Sequence, residues 1–292
     1  MSFADLLGQH FVHTAMIAGA IASVLAGAVG VFVVIRGMSF AVHAVSELGF
    51  TGAAAALWLG GDPVVGLVAG SLTVGVGLGL LTVRGTDRDS AIGSFLAFGL
   101  GVGVLLIRLN KNGYATQATN LLFGSILAVS DRQLTELAVA AAMVLVLLGL
   151  VYRPLLFASV DPEGAEARGV SLRRVSVFLL VLVALATAEA IQIVGVLLVL
   201  TLVITPAAAA TRLTSRPALA LVLSVCIALV ATEGGILLTL VKDYPPSFFI
   251  SSISFALYLV ARIVGSRNLS RRSADVRTGV TITPASVAGQ TR

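Results

Sequence analysis

Long apolar stretches, each about the length of a membrane crossing and each closed by a short polar or basic interruption, run through almost the whole chain. With about 20 residues needed per crossing, the predicted spans are 11–35, 40–60, 63–83, 90–108, 133–152, 174–193, 194–212, 217–241 and 247–265. Only Ile193-Val194-Gly195 separates the sixth from the seventh. One of the two is therefore expected to be short, re-entrant or fused with its neighbour. The fold class that follows is all-α, a polytopic transmembrane helical bundle of about eight or nine spans.

The polar interruptions carry a second pattern. Arg36, Arg84, Arg88, Arg153, Arg168, Arg173, Arg174, Arg212, Arg216, Arg262, Arg267, Arg271 and Arg272 follow alternate spans, whereas Gly60–Pro63 and Lys242–Pro246 carry little excess positive charge. Basic residues collect on the cytoplasmic side, so the N-terminus is expected outside and the C-terminus inside. Arg108 and Lys111 run against this pattern. Two connections exceed a hairpin. The outer one, 109–132, has the length and composition for a short amphipathic helix at the surface. The inner one, 153–174, contains Asp161-Pro162-Glu163-Gly164-Ala165-Glu166-Ala167-Arg168-Gly169. There Asp161 is placed to cap a helix, Pro162 to occupy its first position and Gly169 to stop it. Residues 1–265 read as one membrane domain, and the Ser-, Thr- and Arg-rich 266–292 as a disordered cytoplasmic tail.

Composition agrees with this and narrows the function. The 292 residues are 58% hydrophobic and 11% charged, with a mean hydropathy of +1.03, against roughly 25% charged in an ordinary soluble domain. The net charge of +5 is scattered over span ends, which reports topology and argues against a nucleic-acid partner. The single cysteine, Cys226, excludes an intrachain disulfide or a multi-cysteine metal site. Met1–His10 has no basic flank and no convincing cleavage site, so the first span is expected to stay in the mature protein.

Within the second span, His43 and Glu47 stand four residues apart. At that spacing both side chains lie on one helix face, one turn apart. A titratable pair inside a span costs a few kcal/mol unless it meets a partner or a watery path. An imidazole nitrogen and a carboxylate oxygen can converge on zinc, manganese or iron. Ser46 is a candidate supporting donor or a small packing residue. Glu189, with Gln192 nearby, and Glu233 are further intramembrane acids, able to line a pathway or to sit protonated in the bundle. His10 and His13 stand at the edge of the first span. No G-x-x-x-x-G-K-[ST] loop occurs, and His43-Ala44-Val45-Ser46-Glu47 is not the H-E-x-x-H of a membrane metalloprotease.

These stretches, with Leu122–Leu127 and Val194–Val199 leading to Thr205-Pro206-Ala207-Ala208-Ala209-Ala210, resemble the permeases of metal ATP-binding-cassette importers of the zinc/manganese/iron (ABC-3) type over about residues 10–265. The resemblance implies a type II importer-like permease, itself no enzyme and without a resident cofactor, in a bacterial cytoplasmic membrane. Its cargo would be a divalent metal, zinc or manganese or else iron. Its partners would be a second permease copy, identical or not, two ATPase subunits and an extracytoplasmic metal-binding protein. Asp161, Pro162, Glu163, Ala165 and Gly169 fall in the stretch similar to the ATPase-coupling helix. The family commonly carries Asp-Ala-Leu-Ser-His in the second span. Here the acid and the imidazole are exchanged, His43 standing in the place of the acid and Glu47 in that of the histidine. A two-fold axis would assemble two of each into a four-ligand site. The competing expectation is an ATP-independent secondary transporter or channel, for which transport by the single chain without ATP would be decisive.

Overall fold

The computed structural model describes residues 8–80, 86–109, 122–124, 126–242 and 244–279. Helices make up all its regular structure among these residues: α1 (His10–Ile35), α2 (Ser39–Trp58), α3 (Pro63–Leu80), α4 (Thr86–Leu109), a 3-10 turn (Ile126–Ala128), α5 (Asp131–Val160), α6 (Pro162–Ala167), α7 (Leu172–Val194), α8 (Val196–Leu213), α9 (Pro217–Val241) and α10 (Pro246–Gly279). Eight are long and apolar enough to cross a membrane, α10 over its Pro246–Gly265 portion; α8 contributes a shorter apolar helix, Leu198–Leu213. Of the two adjoining spans the shorter is α8, set off from α7 by Gly195 alone.

Lipid satisfies no backbone hydrogen bonds, so helix ends must close on themselves. Three do so with the same device. After α1, the Gly37 and Met38 N–H groups donate back to the Val34 and Val33 carbonyls; after α2, Gly60 and Gly61 donate to Leu57 and Ala56; after α6, Gly169 and Val170 donate to Glu166 and Ala165. Each is a Schellman closure with glycine in the left-handed region, at φ 62°, 76° and 81°. These closures make the turns between α1 and α2 and between α2 and α3 tight, so α2 is held as the middle of a three-helix zigzag.

Helix α1 is central. In its most apolar window 72% of the residues are buried, and 67% in α7, whereas α3, α4, α5 and α10 each reach only 22%. Those four therefore form the outer ring of the bundle. α1 packs on α9, α8, α5 and α7. Small residues allow this closeness: a Cβ at Gly30 would collide with the Val203 carbonyl on α8. Buried hydroxyls then bridge the backbones, Ser224 Oγ donating to the Gly27 carbonyl at 2.9 Å and Ser23 Oγ to Thr232 Oγ1 at 2.7 Å. Arg36 donates to Ser176 Oγ and Arg173 to the Leu80 carbonyl, and Gly265 lies on Arg212. The ends of α1, α3, α8 and the membrane portion of α10, and the starts of α2, α7 and α9, therefore share one basic end of the bundle. The starts of α1 and α5 meet at the other, where His10 Nε2 lies 3.6 Å from Asp131 Oδ1.

Of the two long connections, the inner one is shorter than the expected 153–174, because α5 continues through Pro154 to Val160. Proline removes one i−4 hydrogen bond, but Leu155 and Ala158 beyond it are buried and Tyr152 packs edge-on to Phe32 at 5.9 Å. Tertiary packing holds the helix past the break. Of the outer connection, residues 110–121 and with them most of the expected amphipathic helix lie outside the described residues. In its last part Ile126 is buried, 4% exposed, and Gly124 interlocks with Gly195 at the α7–α8 turn, while Phe123 and Ala128 are exposed. The backbone of α10 is helical through Gly279, and residues 280–292 of the expected tail lie outside the described residues.

Candidate metal-pathway site

α3 and α4 hold two faces of α2, and α7 and α8 also pack on it. On one, Ser71 Oγ of α3 donates to the Val45 carbonyl at 3.3 Å, and Gly49 and Gly52 admit Ser71 and Gly66 at backbone distance. On the other, Thr51 Oγ1 donates to the Gly99 carbonyl of α4 at 2.8 Å. A further face carries Phe40, His43 and Glu47, with the Phe40 and His43 rings 6.2 Å apart.

On that face His43 Nε2 lies 3.1 Å from Glu47 Oε1, with side chains 35% and 18% exposed. Both side chains are thus partly open on this face. The contact is an ion pair only when the imidazole is protonated. A metal takes the neutral ring and the carboxylate together, so a cation and a proton compete for the same two groups. His43 Nδ1 is buried and has no hydrogen-bond partner. Ser46 is fully buried and donates to the His43 carbonyl at 2.9 Å, so its hydroxyl is engaged with its own helix rather than with the imidazole ring.

The other acids lie elsewhere. Glu189 on α7 is 9% exposed and leaves one carboxylate oxygen without a partner; Glu233 on α9 leaves both. Gln192 Nε2 turns back to the Ala188 carbonyl of its own helix. Among the described residues no three His, Cys, Asp or Glu side chains gather where they could hold one ion. His43 and Glu47 are brought together, and neither Glu189 nor Glu233 completes a set with them. Thr51 and Ser71, which fix the orientation of α2, were not singled out from the sequence. Their signal was small polar residues recurring among glycines in apolar helices, a pattern shared by many positions that only pack.

At the basic end, Asp161 caps α6 by accepting from the Gly164 N–H at 2.9 Å, with Pro162 at the first helical position. Ala165 is buried, Arg168 sits over the Phe157 ring at 5.4 Å, and Glu163 and Glu166 are exposed. The short helix is thereby fastened to the bundle on one side and presents its acidic side outward.

Comparison with known proteins gives the same picture over nearly the whole length. The family model described as "ABC 3 transport family" matches residues 9–265. The manganese transport system membrane protein MntC of Listeria innocua is 31% identical over 266 residues, covering 90% of this chain and 92% of that protein. The manganese import system permease protein ScaB of Streptococcus parasanguinis is 35% identical over 210 residues, 71% of this chain and 74% of that one. Among solved structures, PsaBC from Streptococcus pneumoniae in complex with Fab superposes with a TM-score of 0.80 at 29% identity, covering 89% of this chain and 94% of that chain. These relatives are membrane transport proteins and not enzymes. An all-helical membrane bundle that matches the family model over residues 9–265 belongs to the ABC 3 transport family, the metal-importer permeases its sequence resembles.

Proposed function

We propose that this chain is the permease subunit of an ATP-driven manganese importer and that His43 and Glu47 form half of the site through which the ion passes. The observation that carries the reading is the 3.1 Å approach of His43 Nε2 to Glu47 Oε1, partly exposed on a face of α2 that α3 and α4 leave open. Manganese is favoured over zinc because the similar proteins MntC and ScaB are manganese transport proteins. A mixed imidazole–carboxylate set also suits that ion. Two ligands are too few for a stable complex. A second copy related by a two-fold axis supplies the other two.

The remaining parts follow from the same reading. The basic end is cytoplasmic, which puts the N-terminus outside and the C-terminus inside. There α6, with Asp161, Pro162, Glu163, Ala165 and Gly169, is the docking helix for an ATPase subunit, one on each of the two permease copies. A binding protein delivers the metal at the opposite end. Glu189 and Glu233 hold buried carboxyl oxygens without a partner, weaker candidates for a place along the pathway. Ser46 keeps α2 packed. Residues 1–265 are the permease body, followed by the cytoplasmic tail.

The test is manganese uptake into vesicles holding the permease, its ATPase and its binding protein. His43→Ala and Glu47→Ala should each lower uptake at least roughly tenfold, since losing even a residue that only supports a ligand costs about 10- to 100-fold. The double exchange His43→Asp with Glu47→His, which restores the order usual in the family, should recover it. Unchanged uptake in both single variants removes the site. Uptake by the permease alone without ATP removes the importer, and a preference for zinc in wild type removes manganese.

A further inference from the structure

Between the end of α3 and the first turns of α7 lies an open groove of about 350 Å³, lined by Leu80, Arg173, Arg174, Val177, Phe178 and Val181. The groove itself is apolar and runs along α7 into the span. Arg173 and Arg174 lend it the stems of their side chains, and both residues are exposed at the basic end of the bundle. We propose that this groove holds one anionic phospholipid, its phosphate on Arg173 and Arg174 and one acyl chain along Val177, Phe178 and Val181.

Charge complementarity selects this occupant. None of the lining residues is acidic, and among the described residues neither arginine forms an ion pair. Arg173 is anchored by donating one N–H to the Leu80 carbonyl at 3.5 Å, which leaves most of its donors free. A guanidinium fork matches a phosphate with two parallel hydrogen bonds. Basic pockets between spans at the cytoplasmic surface are where anionic headgroups bind. The apolar floor answers to the other half of the ligand. Val177, Phe178 and Val181 are only partly covered by the protein, and a hydrocarbon chain covers what is left of them. The adjoining hollow of about 600 Å³ shares Leu80 and Arg173 but adds Glu166. Its carboxylate disfavours a phosphate there and confines the headgroup to the arginine pair. The proposal does not depend on which cation is carried.

The purified full chain is placed in phosphatidylcholine nanodiscs with a trace of spin-labelled phosphatidylglycerol or spin-labelled phosphatidylcholine, and the immobilised fraction is read by electron paramagnetic resonance. Wild type should immobilise the anionic probe in preference to the zwitterionic one. Arg173→Gln with Arg174→Gln should cut that preference roughly tenfold or more. Arg212→Gln with Arg216→Gln, an equal charge change at the same end, should leave it intact. Val181→Trp, which fills the groove, should release the probe; where it fails to fold, Phe178→Ala widens the groove and should raise the probe's mobility.

Equal losses in the two arginine pairs would mean a diffuse surface field and overturn the site. Displacement by soluble glycerol phosphate together with indifference to Val181→Trp would mean a headgroup contact alone, and overturn it equally. Loss of ATPase-subunit binding in Arg173→Gln with Arg174→Gln, with lipid preference unchanged, would assign the surface to protein docking instead.

Discussion

Replacing Gly195 by alanine tests whether the α7–α8 turn is held by backbone contact with the segment before α5. Gly195 has φ 87° and ψ 160°, a region open essentially to glycine. Alanine there costs about 1–3 kcal/mol from conformation alone. Its Cβ would also strike the Leu122 carbonyl and stand 2.5 Å from the Gly124 nitrogen and the Phe123 carbonyl carbon. All three are backbone atoms, so no rotamer change relieves the clash, and overpacking adds about 1–3 kcal/mol. Gly60 is the control. It too has a positive φ, 76°, but nothing lies within 4 Å of a Cβ built there, so Gly60→Ala meets the conformational cost alone. In thermal unfolding of the purified protein, Gly195→Ala should lower the midpoint by about 5 °C or more beyond Gly60→Ala. Gly124→Ala introduces its methyl at the same crossing, against the Ile193 carbonyl, so the double variant should lose less than the sum of the singles. Equal losses for Gly195→Ala and Gly60→Ala would refute the interlock.

Thr51→Val keeps the shape of the side chain but removes the 2.8 Å bond to the Gly99 carbonyl; about 1 kcal/mol of stability should be lost, together with part of the uptake rate, as α2 is freed on its α4 side. Asp161→Ala deletes the cap on the Gly164 N–H and should cost about 0.5–2 kcal/mol locally, weakening ATPase-subunit binding in a pull-down while metal binding at α2 is unaltered. His43→Ala and Glu47→Ala remove a partly exposed i,i+4 pair, a contact of about 0.3–0.5 kcal/mol on helix surfaces, so their unfolding midpoints should stay near wild type while uptake collapses.

The spans were legible because a crossing demands a length of apolar sequence that no other requirement mimics, and the stop of α6 because the glycine at 169 is dictated by the backbone itself; the same signal at Gly37 and Gly60 was not used. His43 and Glu47 were legible for a related reason: a titratable pair at helical spacing is conspicuous in an apolar run. What was not legible depends on partners distant in the chain. Nothing near Pro154 says that Leu155 and Ala158 will be buried beyond it and carry α5 onward. Gly124 and Gly195 look like two ordinary glycines until their backbones cross. Thr51 and Ser71 differ from other small polar residues in the spans only in reaching the Gly99 and Val45 carbonyls.

The manner in which α2 is held bears on how the proposed site would work. The ligand pair is borne by a helix fastened on two faces by backbone-level contacts with α3 and α4, so the backbone under His43 and Glu47 keeps its place in its own subunit. An ion bound between two copies would then be released as the subunits move apart. Each copy then keeps an imidazole and a carboxylate, too few to retain the ion. Conduction needs a site favourable enough to enter and weak enough to leave, and splitting the ligands between two rigid halves meets both conditions with the same residues. It also makes the order of the two ligands along α2 tolerable, since exchanging acid and imidazole within each half leaves the joined set with the same four groups.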